Sequence, residues 1–310
     1  MEDSPRSLSE MEDRFASEAA CRTYLARLRW PEGFRCPRCG APGGWATKRQ
    51  LMMCRGCGYQ QSVTAGTIFH RSRMPLRVWF QAMWWVTNQK TGVSALGLQR
   101  LLGFRSYKTA WAWLQKLRRA MVRPGRDRLT GTVEVDETYV GGVDAGGGRR
   151  HIGNKALVAI AAQVDGTGIG RIRLRRIPDA SADSLLPFVE AAVESGATVL
   201  TDAWGGYMGL EARGYKHKVR PLEGDPELAA KLLPRVHRVA ALLKRWLLGT
   251  HQGAVSREHL DYYLDEFTFR FNRRTSAHRG KLFSRLVQQA VAVQAVPFKR
   301  LLSSAAQHQP

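Results

Sequence analysis

At 310 residues the chain is long enough for two or three domains, each burying a core of its own. Its 48 Lys and Arg against 26 Asp and Glu leave a net charge of +22, which points to a polyanionic partner, nucleic acid first. No stretch approaches the ~18 uninterrupted apolar residues of a membrane span, and the opening MEDSPRSLSEMEDR is too acidic for a signal peptide, so a cytoplasmic, nucleoid-associated protein with no membrane contact is expected.

Residues 8–28 place Met11, Phe15, Ala19, Tyr24 and Leu28 near helical spacing, and Trp30-Pro31-Glu32-Gly33 stops that helix, giving an N-terminal helical segment over 1–30. A cysteine module follows within 31–73. Cys36-x-x-Cys39 and Cys54-x-x-Cys57 are separated by fourteen residues, and each is followed by glycine, Gly40 and Gly58. In a reducing compartment such pairs bind metal in preference to forming disulfides, and four thiolates on two tight knuckles suit tetrahedral Zn²⁺. With no open position the zinc is structural. Cys21 lies outside the pattern and reads as a small core residue.

From 74 to 125 the chain turns helical. Trp79, Phe80, Met83, Trp84 and Val86 form one apolar stretch, and Leu96, Leu98, Leu101 and Leu102 form another. Gly103-Phe104-Arg105-Ser106 interrupts before a helix from about Tyr107 to Met121, the layout of a helix-turn-helix. Arg105, Lys108, Lys116, Arg118 and Arg119 are the candidate DNA contacts, with Ser106, Tyr107, Lys108 and Thr109 placed to reach base edges. An amphipathic helix with a solvated basic face is the plainer alternative.

Arg123-Pro124-Gly125-Arg126 reads as a linker to an α/β domain spanning 126–295, with a tail over 296–310. Three β-rich runs, 132–142, 156–165 and 170–177, precede a helix at about 181–195 and a buried strand at 197–202; helices return at 235–249 and 257–273. On TVEVDETYV, alternation puts Glu134 and Asp136 on one face and Glu137 with Val133 and Val135 on the other. Asp136 and Glu137 therefore cannot both point into one site. Asp202 closes the later strand beside Ala203-Trp204-Gly205-Gly206, where a carboxylate is well placed to hold a cation. Two carboxylates brought together favour a divalent ion between them, able to act on a phosphodiester, although a capping or loop-ordering Asp is the commoner role for either alone.

The blocks RWPEGFRCPRCG, QQSVTAGTIFHRSRMPL, VEVDETYVGG, TDAWGGY and LDEFTFRFNRR, in this order, resemble the DDE transposases of bacterial insertion sequences, in the branch that joins a zinc ribbon to a ribonuclease H-like domain. The resemblance covers nearly the whole chain. It implies a multidomain protein that binds double-stranded DNA, transposon ends and target alike, as a homo-oligomer on DNA, hydrolyses a phosphodiester at each end and joins the freed 3′-hydroxyl to target by two-metal chemistry. It puts the first catalytic carboxylate at Asp136 and the second at Asp202. The third position lies seven residues before the Lys of a segment ending LLKR, and here Lys244 of Leu242-Leu243-Lys244-Arg245 sets it at His237, where the family usually has Glu or Asn. Seven residues are two helical turns, so His237 and Lys244 share a face. An imidazole favours Mn²⁺ over Mg²⁺, unless His237 only contacts DNA or the helix surface. Glu258, Asp261, Asp265 and Glu266 are alternative sources of a third carboxylate, Glu266 the best of them. A zinc-ribbon regulator that binds DNA without cutting, an inactive relic, or a plain nuclease are the alternative functions.

Overall fold

The computed structural model describes residues 4–123, 125–141, 155–220, 231–253 and 255–302, and the chain divides into two compact units, one running to Arg123 and resuming at Ser276, the other filling Pro124–Thr275. Among the described residues no helix is long and apolar enough to cross a membrane.

In the first unit the expected single helix over 8–28 is two, α1 (Leu8–Arg14) and α2 (Glu18–Arg29). Ser17 breaks them because its side chain accepts from the Ala20 amide and starts α2, while Phe15 turns inward against Tyr24 and Phe80, with ring centroids at 5.0 and 4.8 Å. The cysteine module carries a three-stranded antiparallel sheet, β1 (Gly44–Ala46), β2 (Leu51–Cys54) and β3 (Gln60–Ser62), in that spatial order. Arg29 of α2 anchors the chain leaving it, donating to the carbonyls of Ser62, Val63 and Ala65.

Helices α3 (Leu76–Asn88), α4 (Ala95–Leu102) and α5 (Tyr107–Ala120) build the core of this unit. Trp79 of α3 is fully buried and stacks on Trp113 of α5, centroids 3.5 Å apart. Ser94 caps α4, and Gly103 ends it with a φ of 65°, a left-handed conformation that a side chain would strain. The helix Arg279–Ala292 belongs here as well. It lays Phe283 against Phe15, Phe80 and Trp84, so the boundary expected at 295 falls near 275. Apolar burial against α3 outweighs continuity along the chain.

The second unit is a mixed sheet. Strands β4 (Thr132–Val140), β5 (Ala156–Asp165) and β6 (Gly168–Ile177) form an antiparallel meander; β7 (Thr198–Thr201) lies parallel on the other side of β4, and β8 (Lys216–Val219) parallel to β7. The order β6-β5-β4-β7-β8, with helices packed on the sheet, is the ribonuclease H-like arrangement. Helix α6 (Ala182–Ala192) buries Leu185, Phe188 and Val189 against Val133, Val135 and Val199. Alternation sends Glu134 and Asp136 to the opposite face, where α7 (Pro234–His251) and α8 (Leu260–Phe271) lie, α7 on β4 and β5 and α8 on β6. Strand β8, KHKV, was not expected: it is short, polar and at the edge of the sheet, and has no alternation to read.

Candidate active site

In the cysteine module, Cys36 and Cys57 Sγ lie 3.7 Å apart, Cys39 and Cys54 Sγ 3.6 Å apart, and all four within 4.8 Å of one another. A tetrahedron with Zn–S near ~2.3 Å has edges of about 3.8 Å, so the cluster has the dimensions of a Cys₄ zinc site. Each knuckle also points an amide at its first sulfur, Arg38 N at Cys36 and Gly56 N at Cys54, which favours thiolates.

In the second unit the ladder register aligns the carboxylates. Thr132, Val133 and Glu134 of β4 pair with Thr198, Val199 and Leu200 of β7. The pairing ends at Glu134 and Leu200, and two residues further along each strand stand Asp136 and Asp202, close enough for the charge of Asp202 to act on Asp136. The Asp136 side chain is 17% exposed. Burial, then the charge of Glu137, and further that of Asp202, push its pKa up to about 7, against the Glu137 amide that donates to Oδ1 and the charge of Lys244. Asp202 accepts from the Trp204 amide at 3.0 Å, while the Trp204 indole donates to the Ala180 carbonyl and its ring is left half-exposed.

His237 enters this group from α7. Its Nε2 is buried, makes no hydrogen bond, and lies 3.6 Å from Asp136 Oδ2. A nitrogen without a partner, facing a carboxylate just beyond hydrogen-bonding reach, fits two ligands of one cation, each about 2.1 Å from it. Burial lowers the imidazole pKa, with Glu134 and Asp202 opposing and Lys244 assisting, so the ring is held neutral with a lone pair to offer. Two carboxylates and an imidazole suit Mn²⁺ better than Mg²⁺. Lys244, two turns on, is solvent-exposed. Partial burial lowers its pKa, and the charge of Asp136 opposes that.

Glu137 takes the other face, as alternation requires. Its Oε2 accepts from the buried Tyr207 hydroxyl at 2.7 Å, and burial raises its pKa against that bond, with Asp202 raising it further. The four alternative carboxylates are engaged elsewhere. Glu266 is buried in an ion pair with Arg270 at 2.7 Å, Asp261 pairs with Arg176 at 2.9 Å, Asp265 acts on Arg126, and Glu258 stands exposed before α8. Sequence reading missed Glu134, whose carboxylate binds Arg235, and the contact of Thr201 with His217; the parity of Glu134 with Asp136 was the available signal for the first.

The expected DNA contacts divide. Arg105 and Lys108 are exposed at the start of α5, beside the half-exposed Tyr107. Arg119 is half-buried, and Lys116 is half-buried over the Trp79 ring, where burial lowers its pKa. Arg118 is corrected: it is 1% exposed and donates to Gln115 Oε1 within the core, because the helices packed around α5 cover that side. It cannot meet DNA without unpacking the unit.

Two family models match the chain. Residues 128–272 match an ISXO2-like transposase domain, and residues 16–60 a transposase zinc-ribbon domain. The chain is 28% identical over 277 residues, covering 83% of its own length and 91% of the relative's, to an uncharacterized protein in transposable element ISH50 of Halobacterium salinarum. The crystal structure of the Mos1 strand transfer complex matches at 15% identity over 73% of this chain and 77% of that one, with a TM-score of 0.28, a likeness too loose to carry weight.

Proposed function

We propose, from the premise that the chain belongs to the ISXO2-like transposases and carries their zinc-ribbon domain, that it cuts and joins DNA at the Asp136, Asp202 and His237 cluster. The observation that carries this reading is His237 Nε2, buried without a hydrogen bond and facing Asp136 at 3.6 Å, with Asp202 near enough to act on Asp136.

Asp136 and Asp202 hold divalent cations, with His237 as the third ligand and Mn²⁺ the better-matched ion. When bound, the ions activate a water or a 3′-hydroxyl and stabilise the leaving oxygen at phosphorus. Asp136, buried beside the charges of Glu137 and Asp202, is a carboxylate whose negative charge a bound cation would stabilise. Lys244 supplies a compact positive charge for the non-bridging oxygens of the scissile phosphate. In the first reaction a water oxygen bonds to phosphorus and the P–O3′ bond breaks, leaving a 3′-hydroxyl and a 5′-phosphate. In the second that hydroxyl attacks a target phosphodiester, one P–O bond forming as another breaks. Glu137 stays on Tyr207 and Glu266 on Arg270, outside the chemistry.

Arg105 and Lys108, with Ser106, Tyr107 and Thr109, meet double-stranded DNA at the start of α5, and the zinc ribbon holds its fold around a structural Zn²⁺. The protein acts as a homo-oligomer that pairs two transposon ends. The test is a cleavage and strand-transfer assay on the inverted repeats flanking the gene, run with wild type, Asp136→Asn, His237→Ala and Glu266→Ala. Loss of cleavage with retained DNA binding in Asp136→Asn supports the reading. Binding without any cutting, unchanged by Asp136→Asn, establishes a regulator instead; full activity without His237 removes it from the site.

A further inference from the structure

Helix α7 begins Leu233-Pro234, and neither residue caps it: Leu has no polar side-chain atom and Pro no amide hydrogen. Its first free amides, on Arg235 and Val236, donate instead to one carboxylate oxygen of Glu134 on β4, at 2.7 and 3.1 Å, and Arg235 Nη1 meets the other oxygen at 2.9 Å. Glu134 is 1% exposed, so its charge is held by a helix N-terminus and a guanidinium together. Arg235 uses its remaining donors on the Gly168 and Gly166 carbonyls of the β5–β6 turn, at 2.9 and 2.7 Å. Three elements are thereby tied at one point.

The positions of these residues matter more than their number. Glu134 stands two residues before Asp136 on the same face of β4, and Arg235 stands two residues before His237 at the start of α7. A rigid joint between the first pair sets the separation of the second.

We infer that Glu134 is a positioning residue, with Arg235 its partner, whose joint fixes the distance and facing of His237 Nε2 and Asp136. Neither residue touches the cation or the DNA. The inference rests on the reading of Asp136 and His237 as cation ligands. An ion pair that only held the fold would cost stability when weakened. A joint that sets ligand geometry costs cation affinity in molecules that are still folded.

The experiment is calorimetric titration of Mn²⁺ into the full-length, zinc-loaded protein, with thermal melting on the same samples. Glu134→Asp keeps the charge and withdraws it by one methylene. Asp261→Asn is the control, since it breaks the Arg176 pair on the same sheet away from the cluster. Removing a group that orients a ligand typically lowers metal affinity about 10- to 100-fold. Mn²⁺ affinity should fall by at least about tenfold in Glu134→Asp and stay at the wild-type value in Asp261→Asn. Unchanged Mn²⁺ affinity in folded Glu134→Asp overturns the inference, as does an equal fall in the control. If Glu134→Asp does not fold, Arg235→Lys, which keeps both amide bonds and the charge but loses the guanidinium fork, is judged by the same criterion. A wild type that binds Mn²⁺ through Asp136 but joins no DNA defeats the proposed function alone. One that takes up no Mn²⁺ at Asp136 overturns this inference too.

Discussion

His237 Nε2 and Asp136 Oδ2 face each other across 3.6 Å with no hydrogen bond between them, although the nitrogen is buried. A protonated imidazole would close on the carboxylate as an ion pair; a neutral one leaves room for a cation. Neutrality is what burial imposes on this ring.

The first prediction concerns the identity of that cation. With an imidazole in the third position, strand transfer should be faster in Mn²⁺ than in Mg²⁺, because Mg²⁺ prefers oxygen donors and loses its hydration shell reluctantly. His237→Glu restores an all-oxygen set and should narrow or reverse that preference, by about tenfold or more in the Mn²⁺-to-Mg²⁺ rate ratio. Rates measured in each ion for both proteins decide it. An identical ratio in the two removes His237 from coordination.

Zinc removal should have a local and countable effect. The four ribbon cysteines hold together two knuckles that share a small core of Phe34, Cys36 and Cys54, so loss of the ion should unfold that module. Cys21 behaves differently: burial, with the charge of Glu18, pushes its thiol up to about 12, and it is fully buried. A thiol reagent near neutral pH should find no reactive thiols in the zinc-loaded protein, four after chelation, and the fifth only in denaturant. Rapid labelling of Cys21 in the folded chain would show that α2 is less well packed than described.

Physical reasons separate what the sequence made legible from what it did not. Alternation on TVEVDETYV put Asp136 and Glu137 on opposite faces, and the structure agrees, since period two follows from strand geometry alone. The CxxC spacing was as direct, because the ligands lie within one short module. Arg118 misled: helical period says which residues share a face but not whether another helix covers that face. Glu134 and Arg235 lie 101 residues apart, so their contact exists only once the sheet and α7 are assembled. The helix Arg279–Ala292 shows an apolar period in Leu282, Phe283, Leu286, Val287 and Ala290, yet nothing in the string names the unit those side chains join.

Arg118 and Arg105, both basic and both near α5, should respond oppositely to truncation. Arg118→Ala removes a fully buried side chain and leaves Gln115 without that donor, a change expected to cost roughly 2–5 kcal/mol. Arg105→Ala removes an exposed group, and its stability should stay within about 0.5 kcal/mol of wild type. DNA affinity should show the reverse. Arg105→Ala should weaken binding and lower the salt dependence by about one counterion, whereas folded Arg118→Ala protein should bind with the wild-type salt slope. Denaturant melts and filter binding across salt concentrations test the pair. A stable Arg118→Ala variant with a reduced salt slope would return Arg118 to the DNA surface.

The last prediction is a pH dependence of stability at the end of β7. His217 Nε2 lies 2.7 Å from the Thr201 hydroxyl, which also donates to the Asp202 carbonyl. With its one hydrogen committed there, the hydroxyl is left to accept, and His217 to donate from Nε2 in its neutral form. Burial lowers the imidazole pKa below its ordinary value of 6.5, with Glu211 opposing. Well above about pH 6.5 the ring is neutral in both folded and unfolded chains and adds no pH dependence. As the pH falls below that value the unfolded chain takes up the proton first, so the folded state loses stability until the folded pKa is passed. His217→Asn keeps a side-chain N–H donor but cannot titrate. The difference in melting temperature between wild type and His217→Asn should therefore be flat above neutrality and move against wild type on going from about pH 6.5 to 5.5. A difference that stays constant across that interval would show that His217 titrates alike in both states, and that burial does not hold the ring neutral.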